Sequence, residues 1–124
     1  MFNKKHLINT IVDTSFLLEQ LDNDLEQISM MINLFLNQSP PKIISLKKAI
    51  ENIDFKEIKS NSHFLKSSFT IMGLSSKNLL SEVEKLSSTD SDIDKIKKLC
   101  YIIFKNHDES IIEYKKILSL INTK

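Results

Sequence analysis

His63 sits in the run Ser62-His63-Phe64-Leu65-Lys66-Ser67-Ser68, which Gly73 closes five residues later. On a helix each residue turns about 100°. Ile58, Ser62, Leu65, Phe69 and Met72 then share one face, an apolar one that reads as core. His63 points roughly opposite, on a stripe with Lys56, Lys59, Lys66, Ser67 and Thr70. Lys59 at i−4 and Lys66 at i+3 are within side-chain reach of it. A neutral imidazole is a nucleophile, and neighbouring ammonium groups disfavour the imidazolium. A phosphoryl group taken up by the ring adds a charge of about −2, which meets cations already in place. The lysines therefore favour the product more than the reactant. By periodicity alone, the plainer reading of a histidine among lysines is a solvated helix face.

The run resembles the signature of histidine phosphotransfer (HPt) domains. That signature has a small residue, the phosphorylated histidine, a variable residue, Leu, Lys, usually Gly, a small residue, and a Gly at the helix end. Here His63, Leu65, Lys66 and Gly73 stand in register, and Leu79 with the Glu84-Lys85 helix fits the family's next helix. One position departs: Ser67 stands where a Gly usually follows the lysine, adding a methylene and a hydroxyl on the histidine's own face. As a helix pattern the resemblance covers about Val12 to Ile121; its specific part is this one helix. It implies a carrier that shuttles a phosphoryl group between receiver-domain aspartates through His63, in a multistep two-component phosphorelay. Lys66 and Lys59 would stabilise the phosphoryl oxygens, and Ser67 and Thr70 would border the docking surface. Lys85, on the next helix, holds a place that in such domains often carries a polar side chain near the histidine, so it is a third candidate to stabilise the phosphoryl group, the alternative being a solvated lysine. The implied partners are response-regulator receiver domains and a hybrid sensor histidine kinase. The chain itself would need no cofactor, since Mg²⁺ and the acidic pocket belong to the receiver, and it would have no independent catalytic site. The competing reading is an HPt-like docking or inhibitor module that binds a kinase or receiver without phosphotransfer.

Composition narrows the classes. A chain of 124 residues fits one domain, able to bury a core without staples. One Gly and two Pro leave little turn chemistry for a sheet, and the Leu-, Ile-, Lys-, Glu- and Ser-rich remainder favours helices. A net charge of +1 argues against a general polyanion binder. Every basic residue is lysine, so the bidentate reader of guanine and phosphate is absent and no nucleic-acid role is expected. The single cysteine, Cys100, rules out an intrachain disulfide and suits a reducing compartment. No apolar run approaches the roughly 20 residues of a membrane span, and no apolar stretch follows the N-terminal lysines as in a signal peptide. A cytoplasmic location is the expectation, and the initiator-like Met1 favours a free-standing protein.

The elements that must hold His63 follow in order. Residues 1–12 carry weak signals, and partial disorder is expected there. Asp13-Thr14-Ser15 caps a short helix through about Leu21. Its Phe16 and Leu17 are the apolar side chains expected to stay uncovered and to form the apolar part of the docking surface. Asn23 with Glu26 resembles a capping box for a helix carrying Leu25, Ile28, Met31, Ile32, Phe35 and Leu36 on one stripe. Pro40-Pro41 predicts a kink or short break near Ser39, after which Ile43, Leu46, Ile50 and Ile53 resume the pattern. Asp54 with Glu57 opens the histidine helix, and Gly73 closes it as the residue just past the end. Ser75 or Ser76 caps the next helix, and Ser91 with Asp94 opens the last. There Ile93, Ile96, Cys100, Ile103, His107, Ser110, Tyr114, Ile117 and Ile121 form a seam of about four heptads. His107 on this seam reads as a core histidine, Cys100 as a small core residue, and His6 gets no role. No Glu-x-x-His pair, His-Glu-x-x-His, Cys-x-x-Cys or glycine-rich phosphate loop is present. The expected architecture is all-α: one HPt-like antiparallel four-helix bundle with a short extra N-terminal helix.

Overall fold

Carboxylates start most of the helices. In the computed structural model, which describes residues 12–22, 24–90 and 92–122, five helices follow one another. They are α1 (Ser15–Gln20), α2 (Leu25–Glu51), α3 (Phe55–Ile71), α4 (Lys77–Ser88) and α5 (Ile93–Asn122). Asp24 opens α2 by accepting from the amides of Glu26 and Gln27 at 3.0 and 3.3 Å. Asp54 accepts from the Glu57 amide at 3.2 Å, and Asp92 from the Lys95 amide at 3.1 Å. Each satisfies a donor that the first turn leaves without an intrahelical partner. The caps of α2 and α5 thus belong to Asp24 and Asp92. The expected Asn23 and Ser91, like His6 and the rest of 1–11, lie outside the described residues.

The helix packing closes a ring. α2 lies on α3, α3 on α4, α4 on α5, and α5 back on α2, with short turns between successive members. This is the expected four-helix bundle, and α1 is the extra helix beside it. Val12, Leu17 from α1 and apolar side chains from all four bundle helices share one core. The seam of α5 is buried from Ile96 to Ile121, with Asn106 joining it. Among the described residues the extended pairing is one isolated bridge, Val12 with Leu74.

Of the kink or short break expected near Ser39, the break does not occur. α2 runs unbroken for 27 residues through Pro40 and Pro41. Each proline withholds one backbone donor, a loss that usually ends a helix. Here the buried side chains on both sides, Ile32, Phe35, Ile43 and Leu46, fix the helix to the core through the defect. Ser39 also ties the turn from within: its hydroxyl donates to the Phe35 carbonyl at 2.7 Å.

Candidate functional site

The core face of α3 is the expected one: Ile58, Ser62, Leu65, Phe69 and Met72 are all buried. That burial sets the rotation of the helix and turns His63 outward, with 67% of its side chain exposed. The C-terminus of α3 fixes its axial position. The Leu74 amide donates to the Phe69 carbonyl at 2.9 Å and the Gly73 amide to the Thr70 carbonyl at 3.3 Å, the two bonds of a Schellman cap. Gly73 has φ +69°, and a Cβ there would stand 1.7 Å from the Asp13 carbonyl oxygen. Glycine is therefore required twice, by its left-handed backbone and by the segment that crosses over it, where the Asp13 amide donates to the Gly73 carbonyl at 2.9 Å.

From the adjacent α4, Glu84 meets the histidine. Its Oε2 is 3.0 Å from His63 Nδ1, and its Oε1 is 2.9 Å from Lys66 Nζ. One carboxylate thus links the imidazole to the lysine three residues on. The Lys66 ammonium above all, then the His63 ring, holds Glu84 below the usual carboxylate range, outweighing its partial burial. An ionised carboxylate accepts only, so the neutral His63 ring carries its proton on Nδ1 and keeps the lone pair on Nε2.

Clefts flank α3 on both sides, and His63 borders the first. Between α2 and α3 lies one of about 490 Å³, bordered by His63, Phe64, Ser67, Gln38, Lys42 and Leu34 among others. Between α3 and α4 a shallower one is bordered by Lys66, Ser67, Thr70 and Lys77. Ser67 borders both, so the hydroxyl in place of the family's glycine stands at the junction of the two surfaces. Thr70 borders the second, but its hydroxyl is engaged, donating to the Lys66 carbonyl at 2.8 Å.

Two sequence expectations, on Leu17 and Lys85, need correction. Leu17 is only 1% exposed and belongs to the core, so it is not an uncovered apolar side chain; Phe16 is uncovered as expected, at 45%. Phe16 borders neither cleft; the apolar surface beside His63 comes from α2 and α3 instead. Lys85 is exposed and is not the α4 residue at the site; Glu84 is. The helical phase explains the exchange. Leu80, Val83 and Ser87 form the inward stripe of α4, Glu84 stands at its edge, and Lys85, 100° further round, points away. Lys59 is exposed and borders neither cleft. Glu84, Gln38 and Lys42 were not identified from sequence as site residues.

His107 is the core histidine expected. Its Nε2 lies 2.8 Å from the Ser39 hydroxyl, whose only proton goes to Phe35, so His107 Nε2–H is the donor. Its ring stacks parallel to Phe69, with centroids 6.1 Å apart. Burial, more than any neighbouring charge, lowers its pKa to about 4. Cys100 is buried, and burial pushes its thiol up to about 12. Among the described residues no group of three His, Cys, Asp or Glu is placed to hold a metal ion. None of the helices is long and apolar enough to cross a membrane, again among the described residues.

No family model and no curated protein matches the sequence. Solved structures match its fold. Histidine-containing phosphotransfer protein B from Pseudomonas aeruginosa superposes with a TM-score of 0.81 over 90% of this chain and 97% of that one, at 15% identity. The HPt domain of a hybrid sensor histidine kinase from Shewanella gives a TM-score of 0.78 over 95% and 98%, at 16% identity. The bundle therefore has the fold of histidine phosphotransfer domains.

Proposed function

We propose that this chain is a histidine phosphotransfer carrier that accepts a phosphoryl group on His63 Nε2 and passes it on. The observation that carries the reading is the pairing of His63 Nδ1 with Glu84, on a side chain that is largely exposed and beside an ammonium group. The donor is an acyl phosphate on a receiver-domain aspartate. The Nε2 lone pair attacks phosphorus, the N–P bond forms, the O–P bond breaks, and the aspartate leaves as a carboxylate. The ring becomes positively charged as the N–P bond forms, and Glu84 stabilises that charge through the Nδ1–H. Lys66 keeps two N–H donors beyond the one given to Glu84, and these serve the phosphoryl oxygens. The chain positions and stabilises; Mg²⁺ and the acidic pocket come from the receiver, so the carrier has no resident cofactor and no catalytic site of its own. Its partners are receiver domains and a hybrid histidine kinase, and its place is the cytoplasm, where such receivers act. The likeness to the HPt fold and the His-x-Leu-Lys register support this reading.

Incubation with phosphorylated candidate receivers tests it. The wild type should acquire an acid-labile, alkali-stable adduct, as a phosphoramidate is and a serine ester is not. His63→Gln should lose the adduct while changing stability by less than about 0.5 kcal/mol. Labelling that persists in His63→Gln, on Ser67 or Ser68 for instance, would overturn the assignment in favour of the docking module.

A further inference from the structure

The buried seam of α5 leaves an opposite face. Tyr101, Lys105, Asp108 and Ile112 step by four, three and four. At about 100° per residue they fall within roughly 60° of the helix circumference, turned away from the buried Cys100, Ile103, His107 and Tyr114. All four are exposed, Tyr101 at 74% and Ile112 at 59%. The outward face of a helix usually carries charge, so a large side chain at each end of this stripe leaves apolar surface uncovered. Lys105 and Asp108 lie between them, and neither forms an ion pair among the described residues.

The stripe is its own complement. Laid antiparallel on a copy of itself about the midpoint of Lys105 and Asp108, it sets Tyr101 against Ile112 of the second copy and Lys105 against Asp108. The two-fold axis repeats both pairs. A parallel pairing sets lysine on lysine and aspartate on aspartate. Moving the antiparallel register by seven residues sets Ile112 against Asp94 or Asp108. Of these arrangements the central register alone matches apolar with apolar and cation with anion. Tyr101 also rims a cleft of about 360 Å³ between α2 and α5, lined by Ile50, Cys100 and Phe104 among others, so a side chain packed on Tyr101 meets apolar surface beside it. One turn further out Lys98 meets Lys115 of the second copy. Their long stems lead the ammonium groups into solvent, at some cost in affinity.

We propose that the chain self-associates through this face as a symmetric, antiparallel α5–α5 dimer. The contact is one helix wide, so the dimer is weak, with a Kd on the order of 100 μM. α5 lies across the ring from α3, so each His63 stays on the outer side of the pair. The inference does not depend on the phosphotransfer reading. Together with that reading, it makes the pair a two-headed carrier whose histidines face away from each other.

Sedimentation equilibrium of the full chain, from about 10 μM to 1 mM, should show a monomer–dimer equilibrium. Lys105→Glu should raise Kd about tenfold or more, and so should Asp108→Lys, because each sets like charges together twice. The double variant Lys105→Glu/Asp108→Lys restores opposite charges and should return Kd to within about threefold of the wild type. Lys115→Glu, which gives Lys98 an opposite charge, should lower it. Cysteines read the direction of the helices, with the native Cys100 buried in the core. Under mild oxidation a mixture of Tyr101→Cys and Ile112→Cys chains should form a disulfide faster than either variant alone, since position 101 lies beside position 112 of the other copy and roughly 16 Å from its own equivalent. A chain that stays monomeric at about 1 mM overturns the proposal. So does a dimer whose Kd ignores both charge reversals, or one in which Tyr101→Cys links to itself as fast as to Ile112→Cys. None of these results touches His63 as acceptor.

Discussion

Glu84 and His63, 21 residues apart on neighbouring helices, share a proton position: the carboxylate Oε2 lies 3.0 Å from the ring Nδ1. This bond selects which nitrogen is free to react. Glu84→Gln keeps the shape but can present either an amide oxygen or an N–H to the ring. On the phosphotransfer reading it would also withdraw the negative charge that stabilises the ring in the phosphorylated product. The expected outcome is a fall of about tenfold or more in the rate of phosphohistidine formation, equivalent to about 1.4 kcal/mol, with little change in melting temperature. Stopped-flow or rapid-quench transfer from a phosphorylated receiver measures it. An unaltered rate would reduce Glu84 to a surface partner.

Lys66→Ala removes the second arm of the same carboxylate. Because the lysine side chain is only 34% exposed and paired, its loss should cost stability as well, on the order of 0.5–1 kcal/mol in urea denaturation. The phosphohistidine lifetime should shorten too, since one cation beside the phosphoryl oxygens is gone. Chemical-quench decay curves on the two proteins report this directly.

His107 gives the bundle an acid limit. The unfolded chain binds a proton at this histidine near pH 6.5, but the folded chain does so only at about 4. Between those values the unfolded state holds more protons, so stability is complete above pH 6.5 and declines as pH falls toward 4, by up to about 3 kcal/mol. Urea midpoints at pH 7.5 and 5.2 should differ accordingly, and His107→Gln should flatten that interval. A wild-type midpoint constant from pH 7.5 to 5.2 would contradict the buried neutral ring.

Ile53 is the least comfortable residue of the backbone. It closes α2 at φ +50°, with its amide bonded to the Ile50 carbonyl and the Asp54 amide to the Ala49 carbonyl. A β-branched side chain resists that conformation at a cost of about 1–2 kcal/mol, against the extra unfolded-state freedom of glycine, about 0.5–1 kcal/mol. The side chain is half exposed and gives little in return. Ile53→Gly should therefore raise the melting temperature by a few degrees. A lower melting temperature would mean that Ile53 contributes packing which outweighs its strain.

The sequence made the inward and outward faces legible, because a helix encodes them in spacing alone. The core stripe of α3, the seam of α5 and the exposure of His63 are all of this kind. Gly73 was legible as a helix end, but the Asp13 carbonyl against it comes from a segment 60 residues away that no local pattern specifies. The contact between Glu84 and His63 was hidden for a related reason: it depends on the rotation of α4 relative to α3, which two adjacent residues, Glu84 and Lys85, leave undecided. Phe16 and Leu17 pose the same choice on a helix of six residues, too short for a period to declare itself. The two prolines misled in the other direction. Local propensity calls for a break, and the buried Phe35, Ser39 and Ile43 around them override it.

α5 contributes no side chain to the cluster of His63, Lys66 and Glu84, yet it fastens the turn between the two helices that do. The Asn106 side-chain oxygen accepts from both the amide and the hydroxyl of Ser76, at 3.1 and 2.6 Å, and the Tyr114 hydroxyl donates to the Met72 carbonyl. The hairpin carrying His63 and Glu84 is therefore bolted to the longest helix at its apex, and it cannot splay without breaking bonds inside the core. Amide hydrogens around this turn should exchange only with global unfolding, at the pace of the slowest protons in α5. On the phosphotransfer reading, a carrier built so would have no loose joint at its working end: it would meet each partner with the same preset face, and any adjustment needed to bring phosphorus into line would fall to the partner.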